Sequence, residues 1–461
     1  MTADSTVEEL QRVTEDARTR WQVPGLAVGI LHDGGVETFA GGVASLETGQ
    51  PVTPDTLFQI GSISKVFCTT VLMTLVDEGK VELDAPIGRY LPELTLSEPG
   101  LTEAITVRHL VTHQSGIWGD YFDDFGWGDD ALRRAVANIH TLRQTYRPGE
   151  LWSYCNAGFE IAGAIIEQVT GRLYEEVAGE RLLGPLGLAH TFFFPHEVFA
   201  YPHAVGHVEE VPKSGDFSVA REYWLCRALS PVGSILSTVS DLLTFARFHM
   251  GDGTFAGRRI LSPASIEAMR TPKVRVDRAD RFWGLGWGVS LLGDVRVLNH
   301  TGGTNGFAAL LVAVPDRQFA LAVLTNGSSG PAAFREIQEW ALEHYCGLPT
   351  PKPQYVPLGD AQLARVAGTY RSPRAEIAVH AEGDGLTVVQ RSLKLGTGEP
   401  VEQPPMRFKA VGELAFAAYE GRDEGTQIDF IPNEGGAGGA IRFLRAGGRL
   451  HDRVQTATCQ E

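Results

Sequence analysis

Apolar and polar positions follow a different period in each stretch of this chain. Residues 26–31 and 36–40 are apolar runs flanking His32-Asp33-Gly34-Gly35, a pattern that predicts a β-hairpin. From residue 62 to about 78, SISKVFCTTVLMTLVDE spaces its apolar residues as a helix does and stops at Gly79. Ser62 then lies in the first turn. A polar, Pro-rich stretch follows, and residues 108–112, 159–169 and 239–250 read as further helices. Residues 295–299, 307–314 and 319–325 read as consecutive antiparallel strands, joined by turn residues such as Pro315-Asp316. Strands near both ends with helices between them predict an α+β domain.

The pattern changes at residues 348–357, LPTPKPQYVP, whose four prolines predict a stiff linker. This gives three parts: a first domain over 1–347, a linker over 348–357 and a second domain over 358–461. In the second, short β-like runs at 376–380, 386–390, 406–411, 427–431 and 441–444 alternate with Gly-rich turns, as in a small antiparallel β-barrel or sandwich. The run EGGAGG at 434–439 reads as a loop, because no strand-to-helix context makes it a phosphate cradle.

Composition narrows the function. The 461 residues are 43% hydrophobic and 21% charged, enough apolar material for a substantial core. Forty Lys and Arg against 56 Asp and Glu give a net charge of -16, the wrong sign for a phosphate-backbone partner, so nucleic acid is not expected. The acidic, amphipathic first twenty residues lack the basic start and apolar run of an export signal, and no uninterrupted apolar segment is long enough to span a bilayer. A cytoplasmic protein without membrane contact is the expectation. Cys68, Cys155, Cys226, Cys346 and Cys459 are odd in number and widely spaced, which predicts reduced, buried thiols rather than disulfides or a zinc site. No metal or organic cofactor is implied.

Three short elements carry chemistry. Ser62-Ile63-Ser64-Lys65 is the chain's only Ser-x-x-Lys, and on a helix that spacing puts hydroxyl and amine on one face. A serine hydroxyl attacks a carbonyl only when a nearby base takes its proton, and a desolvated lysine can be that base. Tyr154-Cys155-Asn156 is the only Tyr-x-Asn, and it follows the loop signal Arg147-Pro148-Gly149-Glu150. Its phenol can relay a proton, and its amide can hold the lysine or a substrate amide. His300-Thr301-Gly302-Gly303 ends a predicted strand, where glycines let a substrate backbone approach the sheet edge.

Together and in this order, the three elements resemble the signature of the serine β-lactamase and penicillin-binding-protein superfamily. The Tyr-x-Asn version resembles its class C β-lactamases, D,D-carboxypeptidases and esterase relatives, and the resemblance covers roughly residues 10–345. It implies an antiparallel sheet flanked by helices, with a helical subdomain. Carried over, Ser62 would be the acyl nucleophile, Lys65 its base partner, Tyr154 the general acid/base and Asn156 a substrate-positioning amide. The N–H groups of Ser62 and Gly303 would form the oxyanion hole, with Thr301 and Gly302 lining the substrate. At His300 the classical enzymes carry lysine, a fixed positive charge that engages a substrate carboxylate and tunes the tyrosine. Histidine is only partly charged near neutral pH, so the site resembles esterase, D-amino-acid peptidase and acyltransferase branches more than dedicated β-lactamases. Arg108-His109-Leu110-Val111-Thr112-His113-Gln114-Ser115-Gly116 also resembles a stretch of this family, and its histidines read as structural hydrogen-bonders. The second domain resembles the lipocalin-like domain attached to some members.

The aromatic cluster of Trp118, Tyr121, Phe122, Phe125 and Trp127 has two readings. It packs an inserted loop, or it places Trp118 and Trp127 as a hydrophobic lid over the acyl group. The leading functional expectation is a serine hydrolase that cleaves ester or amide bonds of a small molecule or peptide, including D-amino-acid peptides, through an acyl-enzyme. One alternative implied by the resemblance is a thioesterase that releases and macrocyclises a nonribosomal peptide, with a carrier-protein-bound substrate. A second is a non-catalytic penicillin-fold binding protein. Oligomeric state is left open.

Overall fold

The computed structural model describes residues 3–222, 225–277, 281–393, 398–433 and 439–455. The chain divides into two compact units, Met1–Arg275 with Asp280–Thr350 and Val276–Ala279 with Pro351–Glu461.

The first unit begins with helix α1 (Ala3–Arg20) and the hairpin β1 (Gly25–His32) and β2 (Gly35–Gly42). Next come helices α2 (Ser64–Asp77), α3 (Val107–Val111), α4 (Ala157–Thr170) and α5 (Val239–Met250). The strands β3 (Val274–Arg275), β4 (Arg281–Trp283), β5 (Gly288–Leu292), β6 (Val295–Thr304), β7 (Phe307–Val314) and β8 (Phe319–Thr325) lead to helix α6 (Gly330–Cys346). Among the described residues, these strands form one eight-stranded antiparallel sheet in the order β2-β1-β8-β7-β6-β5-β4-β3.

Period-two alternation explains the layers. Val28, Ile30, Leu310, Val312, Leu321 and Val323 face one way, into a core shared with Leu10 and Ala17 of α1 and Ile337 and Ala341 of α6. The alternate residues Ala27, Ala309, Leu311, Ala313, Ala320 and Ala322 face the other way, toward Leu242, Leu243 and Phe245 of α5. Small alanines let the helix approach closely. With both faces covered, β7 and β8 are buried along their whole length, so they read as continuous apolar runs. At about 1.5–3 kcal/mol for each fully buried Val or Leu side chain, this double burial makes the centre of the sheet the rigid reference for the site.

Helix α2 is buried on nearly every side: Ser64 to Leu75 are all inaccessible. It stops where the sequence predicts, at Gly79 with φ +69. A single 3₁₀ turn, Gly61–Ile63, precedes it and carries Ser62.

Among the described residues, the second unit has a short helix, α7 (Asp360–Val366), and nine strands: β9 (Gly368–Ser372), β10 (Ala375–Glu382), β11 (Gly385–Leu393), β12 (Pro400–Glu402), β13 (Met406–Gly412), β14 (Ala415–Ala418), β15 (Gln427–Pro432), β16 (Ile441–Ala446) and β17 (Arg449–Arg453). Eight of them pair in the order β10-β9-β17-β16-β15-β14-β13-β11, and β10 pairs again with β11, closing a barrel to which β12 is appended. Closure leaves the ring of eight without a free edge. Inward residues, among them Tyr370, Phe408, Phe416 and Phe430, fill its interior.

Cys68, Cys155, Cys226 and Cys346 are free and buried, and burial pushes Cys68 up to about 12 and Cys155 up to about 11. Cys459 lies outside the described residues, as does most of the Gly-rich run at 434–439. Among the described residues, no helix is long and apolar enough to cross a membrane.

Candidate active site

Three segments of the first unit meet where the chemistry was expected. Lys65, one turn along from Ser62 and fully buried, donates from Nζ to Ser62 Oγ at 3.0 Å and to the Val232 carbonyl at 2.8 Å. The same nitrogen stands 5.0 Å from the Tyr154 ring centroid and 5.7 Å from that of Phe159. An amine so enclosed has lost its water, and Ser62 Oγ and the Val232 carbonyl are polar atoms within its reach.

The strand β6 meets the serine turn backbone to backbone. Gly61, at φ +54, sits where an added Cβ would lie 2.7 Å from the Gly303 nitrogen. A Cβ on Gly302 would stand 1.9 Å from the Ile60 carbonyl oxygen and 3.2 Å from the Ser62 nitrogen. Only glycine fits either place. A Cβ on Gly303 would meet nothing within 4 Å among the described residues, so the space on its side-chain side is open. Backbone N–H groups brought this close to a serine hydroxyl are of the kind that can stabilise the oxygen of a tetrahedral intermediate.

Tyr154 lies half-buried on an irregular segment leading into α4. His113 stacks on it with centroids 4.2 Å apart and planes at 28°, and Trp283 meets it edge-on at 6.0 Å. Asn156 donates from Nδ2 to Asp120 Oδ1 at 3.1 Å and from its backbone N–H to the Gly119 carbonyl at 3.0 Å. A carboxylate can only accept, so Asp120 fixes the amide's orientation and leaves Oδ1 as its acceptor end.

His300 is buried beside this group, with its ring 6.4 Å from Tyr154 and 5.4 Å from Trp283. Its charge differs from the expectation. Burial, reinforced by the nearby Lys65, brings it down to about 3 against a slight opposing effect of the Thr301 carbonyl, so it is uncharged rather than partly charged at neutral pH. Nδ1 hydrogen-bonds the Thr301 carbonyl at 2.7 Å, which requires the proton on Nδ1. Nε2 then carries a lone pair, and this buried atom has no hydrogen-bond partner among the described residues. Thr301 is exposed and Gly302 buried.

Most of the 118–127 aromatic cluster packs inward. Tyr121 is buried, Phe122 and Phe125 lie against the core, and Trp118 is half-buried. Trp127 is the outlier, 46% exposed and edge-on to Phe194. His109 caps α3, accepting the Thr106 N–H at its ring.

Sequence reasoning missed Asp120, Val232 and Trp283. Trp283 reaches His300 only through strand register, because Trp283 pairs with Gly288 and Gly288 with Asn299. Val232 contributes a carbonyl, which leaves no trace in residue type.

A family model described as Beta-lactamase matches residues 10–345. "Penicillin-binding protein 4" of Amycolatopsis lactamdurans is 33% identical over 363 residues, covering 77% of this chain and 94% of that protein. "Unguisins hydrolase ungD'" of Aspergillus campestris (strain IBT 28561) is 25% identical over 342 residues, covering 69% of this chain and 61% of that one. Among solved structures, SurE with D-Leu superposes with a TM-score of 0.75 at 27% identity, covering 98% of this chain and all of that one.

Proposed function

The chain belongs to the beta-lactamase family, most of whose members are serine hydrolases, and from its site we infer that it cleaves ester or amide bonds through an acyl-enzyme on Ser62. The observation that carries this reading is the 3.0 Å contact between the buried Lys65 amine and Ser62 Oγ. In this reading Lys65 takes the hydroxyl proton as Oγ attacks the carbonyl. The developing oxyanion is held by the N–H groups of Ser62 and Gly303. Tyr154 passes a proton to the leaving group and later activates the water that releases the acyl group. Asn156 Oδ1 accepts from a substrate amide.

His300 bears on the substrate. An uncharged imidazole gives a substrate carboxylate no fixed cation at this position, which favours esters, amides and peptides over penicillins. The structure of SurE with D-Leu supports a D-configured residue in the substrate. The same acyl-enzyme can be captured by an amine in place of water, which would make the chain a cyclising thioesterase.

Turnover of p-nitrophenyl esters and of D-residue peptide amides by wild type and Ser62→Ala tests the reading. Activity that is lost in the variant supports it; activity that survives refutes it. A peptidyl thioester with a D-residue at the acyl position then separates the outcomes, since linear acid means hydrolysis and a cyclic product means transfer.

A further inference from the structure

We propose that His113 is the positioning residue for Tyr154, holding the phenol through the backbone on both sides of it and through the face of its own ring. The inference rests on the reading of Tyr154 as the proton-handling group.

His113 follows α3 and has φ +58, a conformation that glycine and asparagine adopt at helix ends and other residues seldom do. A residue kept there against its preference is held by its contacts. Those contacts converge on one tripeptide. The His113 carbonyl accepts the Ser153 N–H at 3.1 Å, and its Nδ1 accepts the Cys155 N–H at 2.9 Å. One residue therefore fixes the amides on either side of Tyr154, while its ring lies against the phenol at 4.2 Å.

The ring itself has little freedom. It is fully buried, and Trp283, Phe159 and Trp152 enclose it with centroids at 4.8, 5.2 and 5.8 Å. Because Nδ1 accepts from an N–H, it carries no proton, so the clamp is a fixed acceptor. This matters because residues 151–155 belong to no helix or strand, and nothing in their own ladder would hold Tyr154 in register. Proton transfer requires the phenol oxygen within hydrogen-bond reach of its partner, and a misplacement of about 1 Å costs up to about a hundredfold.

The test is a double-mutant cycle on the full chain, with p-nitrophenyl acetate as substrate, whose good leaving group keeps weak variants measurable. His113→Gly tolerates the backbone and keeps the main-chain carbonyl that accepts the Ser153 N–H, but removes the Nδ1 acceptor of the Cys155 N–H and the stack. It is expected to lower kcat about 10- to 100-fold with KM changed less than about threefold. In a Tyr154→Phe background the same change is expected to cost less than about twofold, because its target is already gone. His113→Asn also tolerates the backbone, and its Oδ1 takes the place of Nδ1, so it is expected to stay within about fivefold of wild type. An equal penalty in both backgrounds, or His113→Asn as impaired as His113→Gly, overturns the proposal. If His113→Gly does not fold, His113→Asn run in both backgrounds decides on the same criterion, its penalty vanishing with Phe at 154 or not. Wild-type turnover by Ser62→Ala would instead overturn the reading of the site. Strong impairment of Ser62→Ala and Tyr154→Phe beside a fully active, folded His113→Gly would overturn this inference alone.

Discussion

Lys65 Nζ, without solvent access, has Ser62 Oγ at 3.0 Å and the Val232 carbonyl at 2.8 Å. The amine is thus placed between the hydroxyl it would deprotonate and a carbonyl that anchors it. Lys65→Met keeps most of the volume and removes the proposed base. Ester turnover is expected to fall by about a thousandfold or more. The fold should lose only about 1–3 kcal/mol, mainly from the unpaired Val232 carbonyl, a cost visible in urea melts. Lys65→Arg should not rescue, because the planar guanidinium stays protonated and does not fit the same enclosure.

The contact between β6 and the serine turn predicts opposite behaviour for two adjacent glycines. Gly302→Ala drives a methyl against the Ile60 carbonyl, so it should both destabilise the chain and displace the Ser62 N–H. Gly303→Ala meets no atom within 4 Å among the described residues and should melt close to wild type while crowding the proposed carbonyl-binding space. Thermal melts and kcat/KM together separate the two. Equal melting temperatures would contradict the packing described.

Acid should weaken the fold through His300. Its ordinary value is 6.5, and in the folded chain it falls to about 3, chiefly through burial and secondarily through Lys65. Between those values the unfolded chain binds a proton that the native chain does not, so stability is present above about pH 6.5 and is lost as pH falls toward 3. His249 is also brought to about 3 by burial and has the same sign. His300→Gln should reduce proton uptake on unfolding at pH 5, measured calorimetrically in several buffers, by about one proton. Unchanged uptake would contradict a neutral His300.

Glu160 works in the opposite sense. Burial pushes its carboxyl well above the usual range, with Lys65 partly opposing and Asp123 adding to it, and its Oε2 has no hydrogen-bond partner among the described residues. A proton held by the native chain and released by the unfolded one above its ordinary 4.5 makes stability fall as pH rises from there. Glu160→Gln mimics the protonated acid, so its melting temperature relative to wild type should rise between pH 5 and pH 8. A gap that narrows would mean that Glu160 is ionised and paired.

The parts of the fold legible beforehand are those where local pattern and tertiary context agree. Helix α5 and the strands β7 and β8 have the predicted limits, because continuous apolar runs and helical spacing are what a doubly covered sheet requires. Strand β6 was expected to stop at residue 299 but continues to Thr304, since His300 to Thr304 pair with Leu311 to Phe307 despite weak strand propensity. Strands β9 and β17, with sequences GTYRS and RLHDR, were missed because charged outward residues mask their alternation. At the site, Ser62 and Lys65 could be read from one helical turn, whereas Asp120, Trp283 and the Val232 carbonyl arrive through loops and strand register, which no local spacing encodes.

The most direct test of the account is intact-protein mass spectrometry after rapid quench with an activated ester. Wild type should gain the mass of one acyl group, located on Ser62 by peptide mapping, and Ser62→Ala should gain none. An adduct of the same stoichiometry on Ser62→Ala, or one mapped to another residue, would contradict it.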